Sequence, residues 1–366
     1  MYFRLFAFIT VLLVAIACKP AVGTIEVVAE MKENPGNLTV SADGRVFASV
    51  HQFRGGAARL VEVGRDGSMT PWPNAAWNAL PDAPDANKDA FQSVLGVQID
   101  QKGRLWALDN GLGPNPRAPR LFAFNLENGQ LEFGFEFPGD VAAPGSFLND
   151  LAVDAQRGFV YIADIGGATK PGIVVVDVNG NRSYRYDEHE SFPAEDLDIV
   201  VEGRVMHLPG PDGQPTPARI GINPITLSAD NEVLYYGAMS GKTWYRMPAG
   251  LLREGADAEK VHAAIQTEGP KAISDGASTD ADGRHYFTNL GNNSIDILEG
   301  GKTTTLAKDD KLLLWPDALS FGESGWLYVA VNQLHNSPPL NGGQEGAKGP
   351  FYILRIYTGT EGIAGR

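Results

Sequence analysis

A short apolar strand, a turn built from Asp, Gly or Asn, and a second strand with an aromatic residue near its start recur six times, and no other feature restricts the fold as much. The copies are residues 38–50 (LTVSADGRVFASV), 97–108 (VQIDQKGRLWAL), 151–163 (LAVDAQRGFVYIA), 225–237 (ITLSADNEVLYYG), 277–288 (ASTDADGRHYFT) and 318–331 (ALSFGESGWLYVAV). Each reads as a hairpin, β-prone residues around a turn that tolerates positive φ. The repeated aromatics are Phe47, Trp106, Tyr161, Tyr235, Tyr286 and Tyr328, one for about every 58 residues, which leaves room for some four strands per copy. That is the period of a propeller blade, so the sequence predicts an all-β, six-bladed β-propeller forming a single domain over residues 24–366. A β-sandwich gives no reason for six matching hairpins, whereas radial closure buries each blade against the next and removes the sheet edges. Forty-three Gly and 24 Pro among 366 residues exclude long helical bundles on independent grounds. Residues 25–29 (IEVVA) and 351–357 (FYILRIY) are expected as terminal strands, one completing the other's blade. Residues 81–89, 209–217 and 336–349 read as surface loops, and 251–266 (LLREGADAEKVHAAIQ) as a helical insertion outside a blade.

Formal charge is -14, with no basic run of five or more, so nucleic acid is not an expected partner; cations or protonated amines are. Arg4 is the only charge among the first eighteen residues and precedes an apolar run, residues 5–17, too short to span a bilayer. This is an export leader. Ala15-Ile16-Ala17 supplies a small-x-small cleavage pattern immediately before Cys18, the only cysteine. Two readings stand: lipid attachment at Cys18, which tethers the chain to a membrane, or plain cleavage there or after Gly23. Both place the mature protein outside the cytoplasm, whether periplasmic, extracellular or lipid-anchored, and one thiol closes no disulfide. No other stretch resembles a membrane span, and a monomer is expected.

The repeat also locates a site. In a blade the first hairpin strand lines the central channel, so the residue just before it points at the same mouth in every copy. Counting back from the aromatic landmarks, that slot holds Leu95, Asn149, Asn223, Asp275 and Asp317, with Asp150 directly after Asn149. The second strand returns to the mouth with Asp109, Asn110, Asp164, Asn289 and Asn332. Carboxylates and amide carbonyls converging on one axis suit a divalent cation such as calcium, and equally a ligand ammonium group; the competing role for each is to end a strand and bond its own turn. The glycine after Asp275 is expected to admit a ligand closely. Six histidines show no paired metal spacing; His51 and His335, just past second strands, are candidate acids or bases. Trp72 and Trp77 either cover the mouth or pack between blades. No nucleophile elbow and no phosphate-binding Gly loop is present, so no organic cofactor is expected.

Asp109-Asn110-Gly111, PGSFLNDLAVD (144–154), RGFVYIAD (157–164), INPITLSAD with YYGAMSG (222–241), AISDGASTDADG (272–283) and WPDALSFGESGWLYVAVNQLH (315–335) together resemble bacterial members of the major royal jelly protein and Yellow family. The resemblance runs through nearly the whole mature chain. It implies a secreted six-bladed propeller and two kinds of activity: insect Yellow proteins are linked to dopachrome conversion, and salivary relatives bind biogenic amines in the channel. A more distant similarity is to regucalcin and gluconolactonase propellers, which hold a catalytic divalent metal with a Glu, two Asn and an Asp; Asn149, Asn223 and Asp275 fall where the two Asn and the Asp belong. The Glu has no counterpart, since Gly36 aligns there with Glu33 three residues away. An enzyme of this kind, a dopachrome-type tautomerase or a metal-dependent lactonase, would use Asp275, Asp317 and His335 as its catalytic groups. The alternative is a non-catalytic binding protein for amines or other small ligands.

Overall fold

A computed structural model describes residues 19–79, 89–113, 116–210 and 212–366. Six four-stranded antiparallel sheets succeed one another along the chain. Blade 1 comprises Pro35–Val40, Val46–Val50, Leu60–Val63 and Met69–Pro71; blade 2, Val94–Ile99, Arg104–Asp109, Arg120–Asn125 and Leu131–Glu136. Blade 3 comprises Ser146–Asp154, Phe159–Gly167, Gly172–Asp177 and Arg182–Asp187; blade 4, Ile222–Leu227, Val233–Ala238, Thr243–Pro248 and Gln266–Pro270. Blade 5 is Ala277–Thr279, His285–Asn289, Ser294–Glu299 and Lys302–Lys308, and blade 6 takes Pro316–Phe321, Trp326–Val331 and Phe351–Tyr357 from the end of the chain. Its fourth strand is Ile25–Met31, paired antiparallel with Phe351–Tyr357 from Ile25 opposite Ile356 to Met31 opposite Phe351. The two expected terminal strands thus close the ring by sharing one blade.

Burial follows distance from the axis. Val94–Ile99 is buried at every residue because both faces are covered, which is why inner strands read as apolar runs without alternation. Leu131–Glu136, at the rim, leaves most side chains accessible. The six aromatic landmarks occupy one register position, opposite Thr39, Gln98, Ala152, Thr226, Ser278 and Ser320 of their inner strands. Five are fully buried between sheets; Tyr235 is half-buried and packs on His285, ring centroids 4.4 Å apart. In blades 2 and 5 the hairpin turns beside them are clamped by their own aspartates. Asp100 accepts from Arg104 Nε and Trp106 Nε1, both at 2.8 Å, and Asp280 accepts from Arg284 Nε at 2.8 Å and the Tyr286 hydroxyl at 3.0 Å.

One expectation is corrected. Residues 251–266 do not form one helix: Ala249–Arg253 and Ala258–Ala263 are separate, because Gly255 turns left-handed between them at φ 63. Of the two roles open to Trp72 and Trp77, the structure shows packing: they lie with Phe47, Phe91, Phe122 and Phe124 in the core between blades 1 and 2. Residues 209–217 belong to a larger insertion between blades 3 and 4, residues 188–221, which carries two small hairpins, Val200–Val201 with Arg204–Val205 and His207–Pro209 with Pro215–Pro217. Among the described residues no helix is long and apolar enough to cross a membrane. The leader and Cys18 lie outside the described residues, as does most of the loop at 81–89.

Candidate functional site

In five blades the pairing of the inner strand with its neighbour slips at an equivalent place: between Pro35 and Leu38, Val94 and Val97, Leu148 and Leu151, Ile222 and Ile225, and Pro316 and Leu319; blade 3 slips again between Ser146 and Leu148. In blade 5 the inner strand starts at Ala277, directly after the equivalent pair, Asp275-Gly276. A bulge frees two residues from the ladder and re-aims their side chains. The first of each pair is the slot residue, Gly36, Leu95, Asn149, Asn223, Asp275 or Asp317. The inner strands crowd together here: a Cβ on Gly96 would lie 2.2 Å from the Asn149 carbonyl oxygen, and one on Gly276 would lie 2.3 Å from that of Asp317. Gly276 therefore admits the neighbouring blade's backbone, not a ligand as expected.

The ring is lopsided. Blades 3 to 6 contribute Asn149, Asn223, Asp275 and Asp317, all buried, whereas blades 1 and 2 contribute Gly36 and Leu95. Asn149 Nδ2 donates to Asn223 Oδ1, Asn223 Nδ2 donates to Asp275 Oδ1 at 2.6 Å, and Trp315 Nε1 donates to Asp275 Oδ2 at 2.7 Å. Asp317 Oδ2 accepts from Asn332 Nδ2, and just below the ring Asn37 Nδ2 reaches from blade 1 to Asp150 Oδ1 of blade 3 at 2.8 Å. These partners are neutral amides and an indole. Burial pushes Asp275 up to about 7 against the opposing hydrogen bonds of Trp315 and Asn223. Burial also raises Asp317 well above the carboxylate range, with Asp275 and Asp150 adding repulsion and Asn332 opposing; Asp150 is raised by burial and by Asp275. Three carboxylates thus share one desolvated site with no basic side chain against them, a situation that a bound cation or a retained proton relieves.

Above the ring lies a cavity of about 170 Å³, touched by Asn149, Asp275 and Asp317 on one side and by Leu95, Phe53 and Phe147 on others. Leu208 and Ile220 from the insertion and Leu334 and Leu340 from blade 6 contribute apolar roof and wall. His51 also lines it; burial pushes its imidazole down to about 3, Arg54 adding to the effect, so it is neutral at physiological pH. The opposite end of the channel is closed by residues 358–366. Ala281 N–H donates to the Glu361 carbonyl and Val153 N–H to that of Gly365, both at 2.9 Å, while the Arg366 guanidinium donates to Asn231 Oδ1 at 2.6 Å. Between this tail and the ring remains a cavity of about 10 Å³, space for roughly one water. The site is a dead-end cup.

Several expected residues are placed elsewhere. Asp109 clamps Arg120 at 2.7 Å and the amides of Gln92 and Ser93; Asp164 clamps Arg185 at 2.8 Å and accepts from Thr169; Asn289 donates to Asp296 at 2.7 Å. Asp109 and Asn289 end second strands and Asp164 lies in the last half of its own, one strand spacing of about 4.8 Å farther from the axis, so they hold neighbouring strands and loops instead of facing the channel. Asn332, in the same position, reaches Asp317 and is a support. His335 is fully buried behind Trp315, rings 5.9 Å apart and 12° from parallel, and does not line the cavity. Trp315 itself escaped sequence reasoning, although its place directly before Pro316-Asp317 was a usable signal. So did Phe53 and the roof, which stand outside the repeat.

The fold also tests the metal. Gly36 has no side chain to offer, and a Cβ there would meet Leu95 Cδ1 at 2.6 Å and Ser49 Oγ at 2.9 Å. Glu33 turns away, its carboxylate accepting from the Ala57 amide at 3.3 Å. Among the described residues no group of three or more His, Cys, Asp or Glu side chains is arranged to hold a metal ion. The residues present do not fit a lactonase-type metal centre.

A six-bladed propeller with one acidic, half-apolar cup is the class these features define. The sequence profile of the major royal jelly proteins matches residues 92–338, two thirds of the chain, and the chain belongs to that family. It is 24% identical over 318 residues to Protein yellow of Drosophila melanogaster, a match covering 79% of this chain and 57% of that protein, so the chain spans little more than half the length of the yellow proteins it matches. Among solved structures it is similar to a gluconolactonase from Xanthomonas campestris, with TM-score 0.55, 14% identity and coverage of 93% of this chain and 96% of that one. A streptogramin B lyase gives TM-score 0.51 at 15% identity, covering 91% and 97%. At such identities these two establish the propeller alone.

Proposed function

We propose that the cup binds a small cyclic or aromatic molecule carrying a positively charged group, and that the protein is a binding protein for such amines. The observation that carries this is the pairing of two buried carboxylates, Asp275 and Asp317, that have no basic partner, with an apolar half-ring and roof: the charge calls for a cation, and the walls suit a hydrocarbon body. The cavity is smaller than the roughly 300–1,000 Å³ of sites for drug-sized ligands, which favours a single ring with a short arm. Tyramine has that chemistry, and 4-ethylphenol is the same body without the ammonium. Calorimetry is expected to detect tyramine and not 4-ethylphenol, and Asp275→Asn is expected to abolish the difference. Equal binding of the two would sink the reading.

A second reading has one observation in its favour. A carboxylate held near neutral pH in a dry cup is suited to move a proton, so Asp275, with Asp317 beside it, can serve a tautomerisation of the dopachrome type. His335 has no direct access to such a substrate, being screened by Trp315. Lactone hydrolysis by a bound metal is not supported, for want of the fourth ligand. We further propose that the chain is exported, by cleavage of the leader alone or with lipid attachment at Cys18, and that it acts as a monomer.

A further inference from the structure

Both oxygens of Asp275 are held, and one holder leads out of the channel. Trp315, which donates to Oδ2, is fully buried and sits in the left-handed region at φ 57, where a bulky side chain is strained. Its carbonyl accepts from the Asn332 amide at 3.3 Å, next to Gln333, which is also left-handed at φ 50. Strain at two adjoining positions persists only where the surroundings over-determine it, and here it fixes the indole with its N–H on Asp275 and its face on His335.

The chain of contacts continues. His335 Nε2 lies 3.0 Å from Glu202 Oε2 and 2.9 Å from Asn336 Nδ2, while Nδ1 is buried without a hydrogen-bond partner. The imidazole is located by the stack, by Glu202 and by Asn336. Glu202 stands in the tight turn between Val200–Val201 and Arg204–Val205, left-handed at φ 50 with Gly203 following at φ 74. Arg204 ties the same turn to Asn336 at 2.8 Å and Asn341 at 3.0 Å. The insertion that supplies Leu208 and Ile220 to the roof thus also supplies the last link behind Asp275, although Glu202 does not line the cavity and its side chain is 46% exposed.

We propose that Glu202, His335 and Trp315 are a positioning relay, through which the roof insertion sets the orientation of the Asp275 carboxylate toward the ligand. The relay rests on the reading of Asp275 as the ligand's anionic partner. None of the three is a catalytic residue. A roof seated on blade 6 then delivers an aimed carboxylate as well as apolar cover, and a displaced roof withdraws both.

The test is a double-mutant cycle with tyramine as the probe, on the full-length protein. Trp315→Phe, which keeps the ring and removes the donor, is expected to weaken binding about tenfold, and Glu202→Ala about threefold. The combined variant should bind no worse than Trp315→Phe alone, because Glu202 acts only through that indole. Glu202→Gln keeps an acceptor for His335 and should restore most of the affinity. A second measurement needs no ligand. Among the six tryptophans the Trp315 indole N–H resonance is identified by its loss in Trp315→Phe, and in Glu202→Ala it should move and lose solvent-exchange protection by about threefold or more. Additive losses in the cycle, or an indole resonance that Glu202→Ala leaves in place and equally protected, overturn the relay. If wild-type protein fails to bind tyramine, the ligand reading falls and the resonance alone decides the relay.

Discussion

Replacing Asp275 by Asn separates a functional carboxylate from a structural one, because only the first predicts a stability difference that changes with pH. Burial raises this carboxyl from 3.8 to about 7, against the hydrogen bonds from Trp315 and Asn223. A folded-state value above the unfolded one means that the folded chain holds the proton more tightly. The group's contribution to stability is therefore complete below pH 3.8 and is lost as pH rises to about 7. Over that interval the loss is about 4 kcal/mol at 1.36 kcal/mol per unit. Asn carries no such penalty, but it offers one acceptor where Asp offered two, so either Trp315 Nε1 or Asn223 Nδ2 loses its partner, at about 1–3 kcal/mol. The net expectation is that Asp275→Asn is more stable than wild type by about 1–3 kcal/mol at pH 8, and equal or less stable at pH 5. Urea titrations at the two pH values, analysed at constant slope, measure the difference. Tyramine should raise the midpoint of wild type at pH 8 and leave the variant unmoved. A variant less stable than wild type by the same amount at both pH values would refute the reasoning, since Asp275 would then be an ordinary turn residue whose charge the fold tolerates.

Gly276→Ala places a methyl 2.3 Å from the Asp317 carbonyl and should cost about 1–3 kcal/mol while weakening tyramine binding, whereas Gly139→Ala, with nothing within 4 Å, should do neither; thermal melts and calorimetry on the pair check this, and equal behaviour of the two contradicts the close approach of blades 5 and 6. If residues 5–17 are an export leader, intact-mass analysis of protein from its native cell should find a chain starting at Cys18 or soon after. Full-length chain in the cytoplasm ends that reading, and Cys18→Ser releases the protein from membranes only if a lipid is attached there.

Much of the fold was legible because a propeller writes its geometry into the chain six times. The turn-aromatic hairpin recurs since each blade needs a tight turn and the same wedge between sheets; in blades 2 and 5 an aspartate ties the two together, Asp100 to Trp106 and Asp280 to Tyr286. Counting from that wedge also found the four polar slot residues, because the bulge that turns them into the channel sits at one register position in blade after blade. The same count misled one strand farther out. Asp109 and Asp164 stand on the second strand, where the strand offset already carries them away from the axis, and nothing in one sequence distinguishes an aspartate aimed at a ligand from one aimed at Arg120 or Arg185. The remaining parts of the cup were invisible for a different reason. Trp315, Phe53 and the insertion at 188–221 lie outside the repeat, so periodicity says nothing about where they go.

That division has a functional sense. Six equivalent slots would make a symmetric ring, and a symmetric ring of carboxylates or amides favours a spherical ion on the axis. Here blades 1 and 2 break the equivalence with Gly36 and Leu95, and Leu95 fills the space that a side chain at position 36 would need. The acidic half and the apolar half then face each other across about 170 Å³, a shape that distinguishes the two ends of an asymmetric ligand. The non-repeating segments supply what the ring cannot: Phe53, Leu208 and Leu340 wall the apolar side of the cavity, and Trp315 holds the Asp275 carboxylate on its acidic side. The repeated blade supplies the scaffold, and the departures from repetition supply the asymmetry of the cup.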